Sequence, residues 1–194
     1  MNTLAKALLA GLTGAALVPP ASAAILSFTP LNSSVNIGDS VTVSVVISGL
    51  SGPIALGGYQ LSVSYDAARV QVTGVSFPAP PWSGLDLGMG SLNSFDLSSP
   101  GIIALDEVSF ELPATLATDQ PDAFTLAQLT FKGLTFGQSP LGFSLVDLSD
   151  AGGAALGAGM AFAGAINVVP EASEWVLMSA LGLVGFAAWR RRSL

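Results

Sequence analysis

The chain has 194 residues, of which 51% are apolar, and its 13 acidic and 6 basic residues give a formal charge of −7. This shortage of lysine and arginine excludes the basic surface that nucleic-acid-binding proteins need. Because there is no cysteine and no histidine, disulfides, thiol nucleophiles, Ser-His-Asp triads and the usual zinc sites are excluded as well.

The N-terminus has the features of a secretory signal peptide over residues 1–23. Lys6 precedes an apolar run over residues 7–18, which is followed by two prolines and the tripeptide Ala21-Ser22-Ala23. This order predicts export of the chain and cleavage between Ala23 and Ala24. The alternative is an N-terminal helix of the folded domain.

Residues 24–168 are predicted to form one all-β domain. Apolar and polar residues alternate over 41–47 and over 59–65, so each segment has one face for a core. We expect seven strands in all, over residues 41–47, 59–65, 69–77, 101–106, 123–132, 141–146 and 164–169. Turn residues separate them, among them residues 137–140, and no segment of the domain has helical periodicity. This pattern predicts a two-sheet antiparallel sandwich.

The order of these segments resembles a cohesin-type domain. The resemblance rests on Gly38-Asp39 before a strand, on Tyr65-Asp66 with Val70 four residues later, and on the segments 124–132 and 145–150. It implies a nine-stranded jelly-roll sandwich that binds dockerin modules, although relatives occur in surface proteins with no known dockerin. An immunoglobulin-like or fibronectin-like sandwich is the alternative.

The C-terminus, residues 169–194, begins with Val169-Pro170-Glu171 and ends with an arginine cluster. The run over residues 175–189 has no charge, and a tryptophan lies at each end of it. Aromatic ends followed by arginines predict a transmembrane helix whose C-terminus stays in the cytoplasm. At about 22 Å, this helix is shorter than the roughly 30 Å hydrocarbon core of a bilayer.

This tail resembles the PEP-CTERM sorting signal of Gram-negative bacteria, except that Ala172 stands where the family pattern usually has proline. The resemblance implies that an exosortase recognises the tail and cleaves near Pro170-Glu171, after a transient stay in the inner membrane. The residues concerned are Val169, Pro170, Glu171, Trp175, Arg190, Arg191 and Arg192. It further implies a final location at the cell surface or in the exopolysaccharide matrix, whereas a permanent single-pass anchor is the alternative.

Two groups of carboxylates are candidates for chemistry. Asp106, Glu107 and Glu111 would be the acids of a glycan-active enzyme, but neighbours on a strand point to opposite faces, and solvated loop charge is the simpler interpretation. Calcium binding is a weaker candidate function, with oxygen ligands from loops. Its candidate ligands are Asp119, Asp122, Asp147 and Asp150, which do not have the spacing of an EF-hand. No other cofactor is expected.

The segment over residues 78–97 is apolar without a regular period. Trp82, Leu85, Met89 and Phe95 are candidates for a patch that binds a sugar or a protein partner. The alternative is that they cover one end of the core.

The sequence as a whole predicts an exported structural or binding module, not an enzyme, whose partner is a polysaccharide or a dockerin-like protein. A glycan-active enzyme that uses only carboxylates is the competing hypothesis.

Overall fold

The computed structural model describes residues 24–50, 54–80 and 83–171, together with residues 176, 179–184, 186, 189 and 190. Twelve strands and one short helix are found in the described residues up to 171, and the described residues beyond 171 are helical. In chain order they are β1 (Ala24–Thr29), β2 (Asn32–Asn36), β3 (Ser40–Ser48), β4 (Leu56–Ser64), β5 (Val70–Ser76), β6 (Ser91–Asp96), β7 (Ile102–Ser109), α1 (Pro113–Asp119), β8 (Phe124–Gly133), β9 (Gly137–Asp150), β10 (Ala155–Leu156), β11 (Ala158–Ala161) and β12 (Gly164–Val169).

The strands form two facing sheets. The first has the order β11-β1-β3-β8-β5, and the second has the order β2-β12-β9-β4-β7-β6 with β10 paired to β9. Both sheets are mixed, because β11 pairs with β1 and β12 pairs with β2 in parallel. The prediction of an antiparallel sandwich is therefore wrong at these two pairs. The first two strands, β1 and β2, and the last two, β11 and β12, each pass from the first sheet to the second, and the two pairs run side by side in the same direction.

The core lies between the inner faces of the two sheets. Val43, Val45 and Ile47 of β3 face it from the first sheet, and Leu61 and Val63 of β4 face it from the second, all fully buried. The alternation predicted for residues 41–47 and 59–65 is thus confirmed. These inward side chains position the outward ones, since strand residues alternate between the two faces of a sheet.

Several elements differ from the prediction. The strands β1, β2, β6, β10 and β11 and the helix α1 were not predicted, and the predicted turn at residues 137–140 lies within β9. Most residues of β6 are exposed, so this strand has no apolar alternation to reveal it. The helix α1 has seven residues and buries only Leu116, which is too little for a helical period to be visible.

Candidate functional site

An open surface of the second sheet carries a row of polar side chains. We call it the acidic face, meaning the outer surface of β9, β4, β7 and β6. The strand register places Asp147, Gln60, Asp106 and Ser94 side by side across these four strands. Gln60 donates from Nε2 to Oδ1 of Asp106 at 2.8 Å, and the Ser94 hydroxyl donates to Oδ2 at 3.4 Å. Hydrogen bonds therefore order the centre of a row that contains two carboxylates.

Exposed apolar side chains flank this row on the same face. Val108 and Leu92 are cross-strand neighbours, with exposed fractions of 46% and 63%. Leu145 and Ile102, with exposed fractions of 44% and 41%, lie on the other side of the row. None of the four strands contains lysine or arginine. The acidic face thus combines apolar area with negative charge, a combination suited to binding a partner.

A depression of about 470 Å³ lies on this face. Gly58 lines this depression. A Cβ atom at this position would lie 3.0 Å from the carbonyl oxygen of Glu107 and 3.3 Å from Oγ of Ser149. The surrounding side chains include Gln60, Leu92, Asp106, Val108 and Ser149. A side chain at position 58 would therefore crowd the neighbouring strands, and glycine leaves this part of the depression unfilled.

Glu107 lies beneath the acidic face and is hydrogen-bonded to Tyr59, which reaches the first sheet. It has the inward phase of β7, and only 4% of it is exposed. Its Oε1 accepts a hydrogen bond from the Ser91 hydroxyl at 2.7 Å, and its Oε2 accepts one from the Tyr59 hydroxyl at 3.2 Å. The Tyr59 hydroxyl also lies 3.2 Å from the carbonyl oxygen of Leu126 in the first sheet. Glu107 therefore connects Ser91 of β6 to the buried side chain of Tyr59.

The surroundings of Glu107 favour its protonated form. Burial raises the pKa of Glu107 and the Asp86 carboxylate raises it further, while the hydrogen bonds from Ser91 and Tyr59 lower it. Burial, followed by the charge of Glu107, raises the pKa of Tyr59, which therefore keeps its proton. The single hydroxyl proton of Tyr59 thus faces two acceptors, the Glu107 carboxylate and the Leu126 carbonyl oxygen. With a proton on Glu107, the carboxyl can donate to the Tyr59 oxygen while Tyr59 donates to Leu126.

We expect the stability of the fold to depend on pH through Glu107. Because its pKa is raised in the folded chain, its contribution is complete below the pKa of an unfolded glutamate, about 4.3, and is lost as the pH rises through the raised value. The Glu107→Gln variant keeps the shape and removes the titration. In urea unfolding of the full chain between about pH 4 and pH 8, the free energy of unfolding of this variant minus that of the wild type should rise with pH. A difference that stays constant would contradict this expectation.

Glu111 anchors the loop of residues 83–90, which leads into β6. Only 9% of Glu111 is exposed, and its Oε1 accepts the backbone N–H groups of Leu87 at 3.0 Å and Met89 at 2.6 Å. Within the loop, Oδ1 of Asp86 accepts two further backbone N–H groups. Carboxylates thus replace a regular strand partner in holding this loop.

Two of the three carboxylates first considered for catalysis are not solvated loop charge. Glu107 and Glu111 are buried and hydrogen-bonded, which corrects that interpretation, while Asp106 lies half-buried in the acidic face. Asp106 and Glu107 do point to opposite sides of β7, as the alternation predicts. They therefore do not flank one substrate bond, as the acid pair of a glycosidase does. The inward phase that Glu107 shares with Ile103 and Leu105 is the sequence signal for its burial.

The predicted ligand patch is only partly exposed. Leu85 is 1% exposed and belongs to the core, so its assignment to the patch is wrong. Met89 and Phe95 are exposed to 61% and 48%. Trp82 lies outside the described residues. The polar row of Gln60, Ser94 and Asp106 was not predicted, because only the strand register brings these distant residues together.

The calcium candidates lie in different settings. Asp119 ends α1, Asp122 follows it in a loop, and Asp147 belongs to the acidic face. Oδ1 of Asp150 accepts the N–H groups of Gly152 and Ala154, each at 2.8 Å, and so closes the turn after β9. In the part of the chain that the structure describes, no three acidic side chains are grouped to hold a metal ion.

The targeting residues lie at or beyond the ends of the sheets. Ala24 is the first residue of β1, Val169 is the last residue of β12, and Pro170 and Glu171 follow it. Ala21, Ala23, Trp175, Arg191 and Arg192 lie outside the described residues. Residues 179–184 are helical, and so are 176, 186, 189 and 190, which include Arg190. Among all described residues, there is no helix with the length and apolar character to cross a membrane.

The fold is similar to that of cohesins. No family model and no curated protein matches the sequence. The solution structure of CaCohA2 from Clostridium acetobutylicum is 26% identical, with a TM-score of 0.59 over 76% of this chain and 92% of that chain. The same module in a crystal complex with a CaDoc0917 variant is 25% identical, with a TM-score of 0.60 over 75% of this chain and 99% of that chain. The sixth cohesin from scaffoldin B of Acetivibrio cellulolyticus, in complex with a mutant Cel5 dockerin, is 19% identical, with a TM-score of 0.59 over 76% and 99%. The described domain therefore has a cohesin-like sandwich fold.

Proposed function

We propose that this chain is a binding module of the cohesin type, without enzymatic activity, and that its acidic face receives a dockerin-like protein. The observation that carries the proposal is the row of Asp147, Gln60, Asp106 and Ser94 with exposed apolar residues on both sides. An apolar area with ordered polar groups is typical of protein interfaces. Similar structures that were solved as complexes with a dockerin support this class of partner.

The charge of the acidic face indicates which charge the surface of the partner carries. Two carboxylates lie in the row and no lysine or arginine is present in the four strands that form it. Complementary charge favours a partner surface that carries lysine or arginine beside its apolar contacts. Such a partner would bind more weakly at high salt, because salt screens exposed charges.

The proposal is tested by placing a charge among the apolar contacts. We expect at least one dockerin-like segment encoded by the source organism to bind the purified full chain with one-to-one stoichiometry. The Leu145→Lys variant should weaken this binding at least tenfold, or about 1.4 kcal/mol, because an ammonium group would be desolvated in the interface and would repel the basic groups of the partner. Isothermal titration calorimetry gives both the affinity and the stoichiometry.

Leu31→Lys is the matched control. Leu31 lies between β1 and β2, away from the acidic face, and its exposed fraction of 45% equals that of Leu145, 44%, within a percent. The control variant should bind like the wild type. Equal binding by the Leu145 and Leu31 variants would show that the acidic face is not the binding surface. If no dockerin-like segment binds, a dockerin-like protein is not the partner.

We propose further that the module acts outside the cell, after removal of a signal peptide and processing of the tail by an exosortase. The end of the last strand supports the tail as a separate segment, since β12 ends at Val169 and Pro170 and Glu171 follow it outside the sheets. Intact-mass analysis of protein from membrane, matrix and medium tests it. A chain that begins at Ala24 and ends near Pro170 would support the sorting signal, whereas a full tail in every fraction would support a permanent anchor.

A further inference from the structure

The strand β6 is the most regular edge of the sandwich. Its six residues pair with β7 from Ser91 to Asp96 without a break in register. The other edges are less regular or are continued elsewhere. Among the described strands, β5 has a register shift against β8, β11 pairs with only three residues of β1, and β2 leads into a bridge to the first sheet at Ile37.

Edge strands of natural proteins usually carry features that prevent pairing with another chain. Lysine, proline and bulges are the common ones. β6 has none of them, and its sequence SLNSFD exposes Leu92 to 63% and Phe95 to 48%. Within the described residues it is therefore a regular, partly apolar edge that is not interrupted by proline or a bulge and carries no lysine.

One hydrogen bond fixes which backbone groups of β6 face outward. The N–H of Phe110 donates to the carbonyl oxygen of Gly90 at 3.0 Å, just before β6 begins. Hydrogen-bonded and non-hydrogen-bonded pairs alternate along an antiparallel ladder. Leu92, Ser94 and Asp96 consequently turn their backbone groups toward β7, while the backbone groups of Ser91, Asn93 and Phe95 point away from the sheet.

The charge near this edge is negative. Asp96 lies on β6 and Asp106 on β7, and neither strand contains a basic residue. The N–H and the hydroxyl of Ser98 donate to the Asp96 carboxylate and hold its pKa below the usual value. Over residues 24–169, eleven acidic residues against two basic ones give a formal charge of −9. A second copy would bring the same charge, so a basic segment is the more favourable occupant.

We propose that β6 binds an extended segment of a partner protein as an additional strand, with lysine or arginine alternating with apolar residues. Main-chain hydrogen bonds to Ser91, Asn93 and Phe95 supply affinity, as in other cases of strand addition. The basic side chains lie on the side of Asp96 and Asp106, and the apolar ones lie beside Phe95. This site shares Asp106 with the acidic face but also needs the free backbone groups of β6, which binding to the acidic face does not.

The probe is a labelled eight-residue peptide of alternating lysine and valine with blocked ends, titrated against the purified full chain by fluorescence anisotropy. We expect saturable binding. A peptide with glutamate in place of lysine should bind at least tenfold more weakly, and a peptide N-methylated at every residue should not bind, because neither of its edges then carries N–H donors.

The Asn93→Pro variant tests the edge itself. Proline removes the outward N–H at this position and leaves the hydrogen bonds between β6 and β7 in place. We expect at least a tenfold loss of peptide affinity, while Asn93→Ala, which keeps the N–H, should stay within twofold of the wild type. Circular dichroism shows whether the proline variant is folded. If it is not, the comparison of the N-methylated with the unmodified peptide on the wild-type chain tests the proposal.

Three results would overturn the proposal. They are equal binding of the peptide by a folded Asn93→Pro variant, equal binding of the N-methylated peptide, and equal binding of the glutamate peptide. Sedimentation that shows a dimer of the full chain, lost in Asn93→Pro and accompanied by no peptide binding, would assign the edge to a second copy instead.

Discussion

Replacing Glu111 by alanine is expected to lower the free energy of unfolding of the full chain by about 2–4 kcal/mol, because two backbone N–H groups lose their acceptor at once. The carboxylate accepts from Leu87 at 3.0 Å and from Met89 at 2.6 Å, so no single neighbour replaces it. Urea unfolding measures the loss. Limited proteolysis within residues 83–90 should accelerate as well, since this loop depends on Glu111.

Glu111→Gln is the matched control, because its amide oxygen can still accept both N–H groups. Its free energy of unfolding should fall by less than half as much as that of the alanine variant. If the alanine variant unfolds at the same urea concentration as the wild type, Glu111 does not anchor the loop.

Phe131→Ala should lower the free energy of unfolding by about 3–5 kcal/mol. Phe131 is fully buried between the sheets, and its ring packs edge to face on Tyr65 with ring centroids 5.7 Å apart. Phe136, which is 62% exposed, provides the control. Phe136→Ala should change the free energy of unfolding by about 0.5 kcal/mol or less. Similar losses for the two variants would contradict the assignment of Phe131 to the core.

Alternation in the sequence was sufficient to predict the central strands, because β3 and β4 each have one fully buried face. It was not sufficient for strand direction, since the parallel pairs of β1 with β11 and of β2 with β12 depend on how the two chain ends meet. Proline at position 140 suggested a turn, yet this residue pairs with Ala165 inside the second sheet. Its missing N–H is compatible with a strand position that donates no ladder bond.

The candidate site was less predictable than the fold. Gln60, Ser94 and Asp106 are distant in sequence, and only the pairing of β4, β7 and β6 aligns them. Leu85 and Met89 look alike as apolar residues of one loop, but Glu111 fixes this loop so that Leu85 is buried and Met89 is exposed. Local composition carries no information about such a difference.

The positions of the first and last strands bear on how the domain withstands force. β1 lies between β11 and β3, and β12 lies between β2 and β9, with five paired positions on each of its two sides. A pull directed along β1 and β12 would load their hydrogen bonds in shear, so that several must break together instead of one after another. A tether that leaves the sandwich at Val169 would therefore pull on a strand that is paired on both sides.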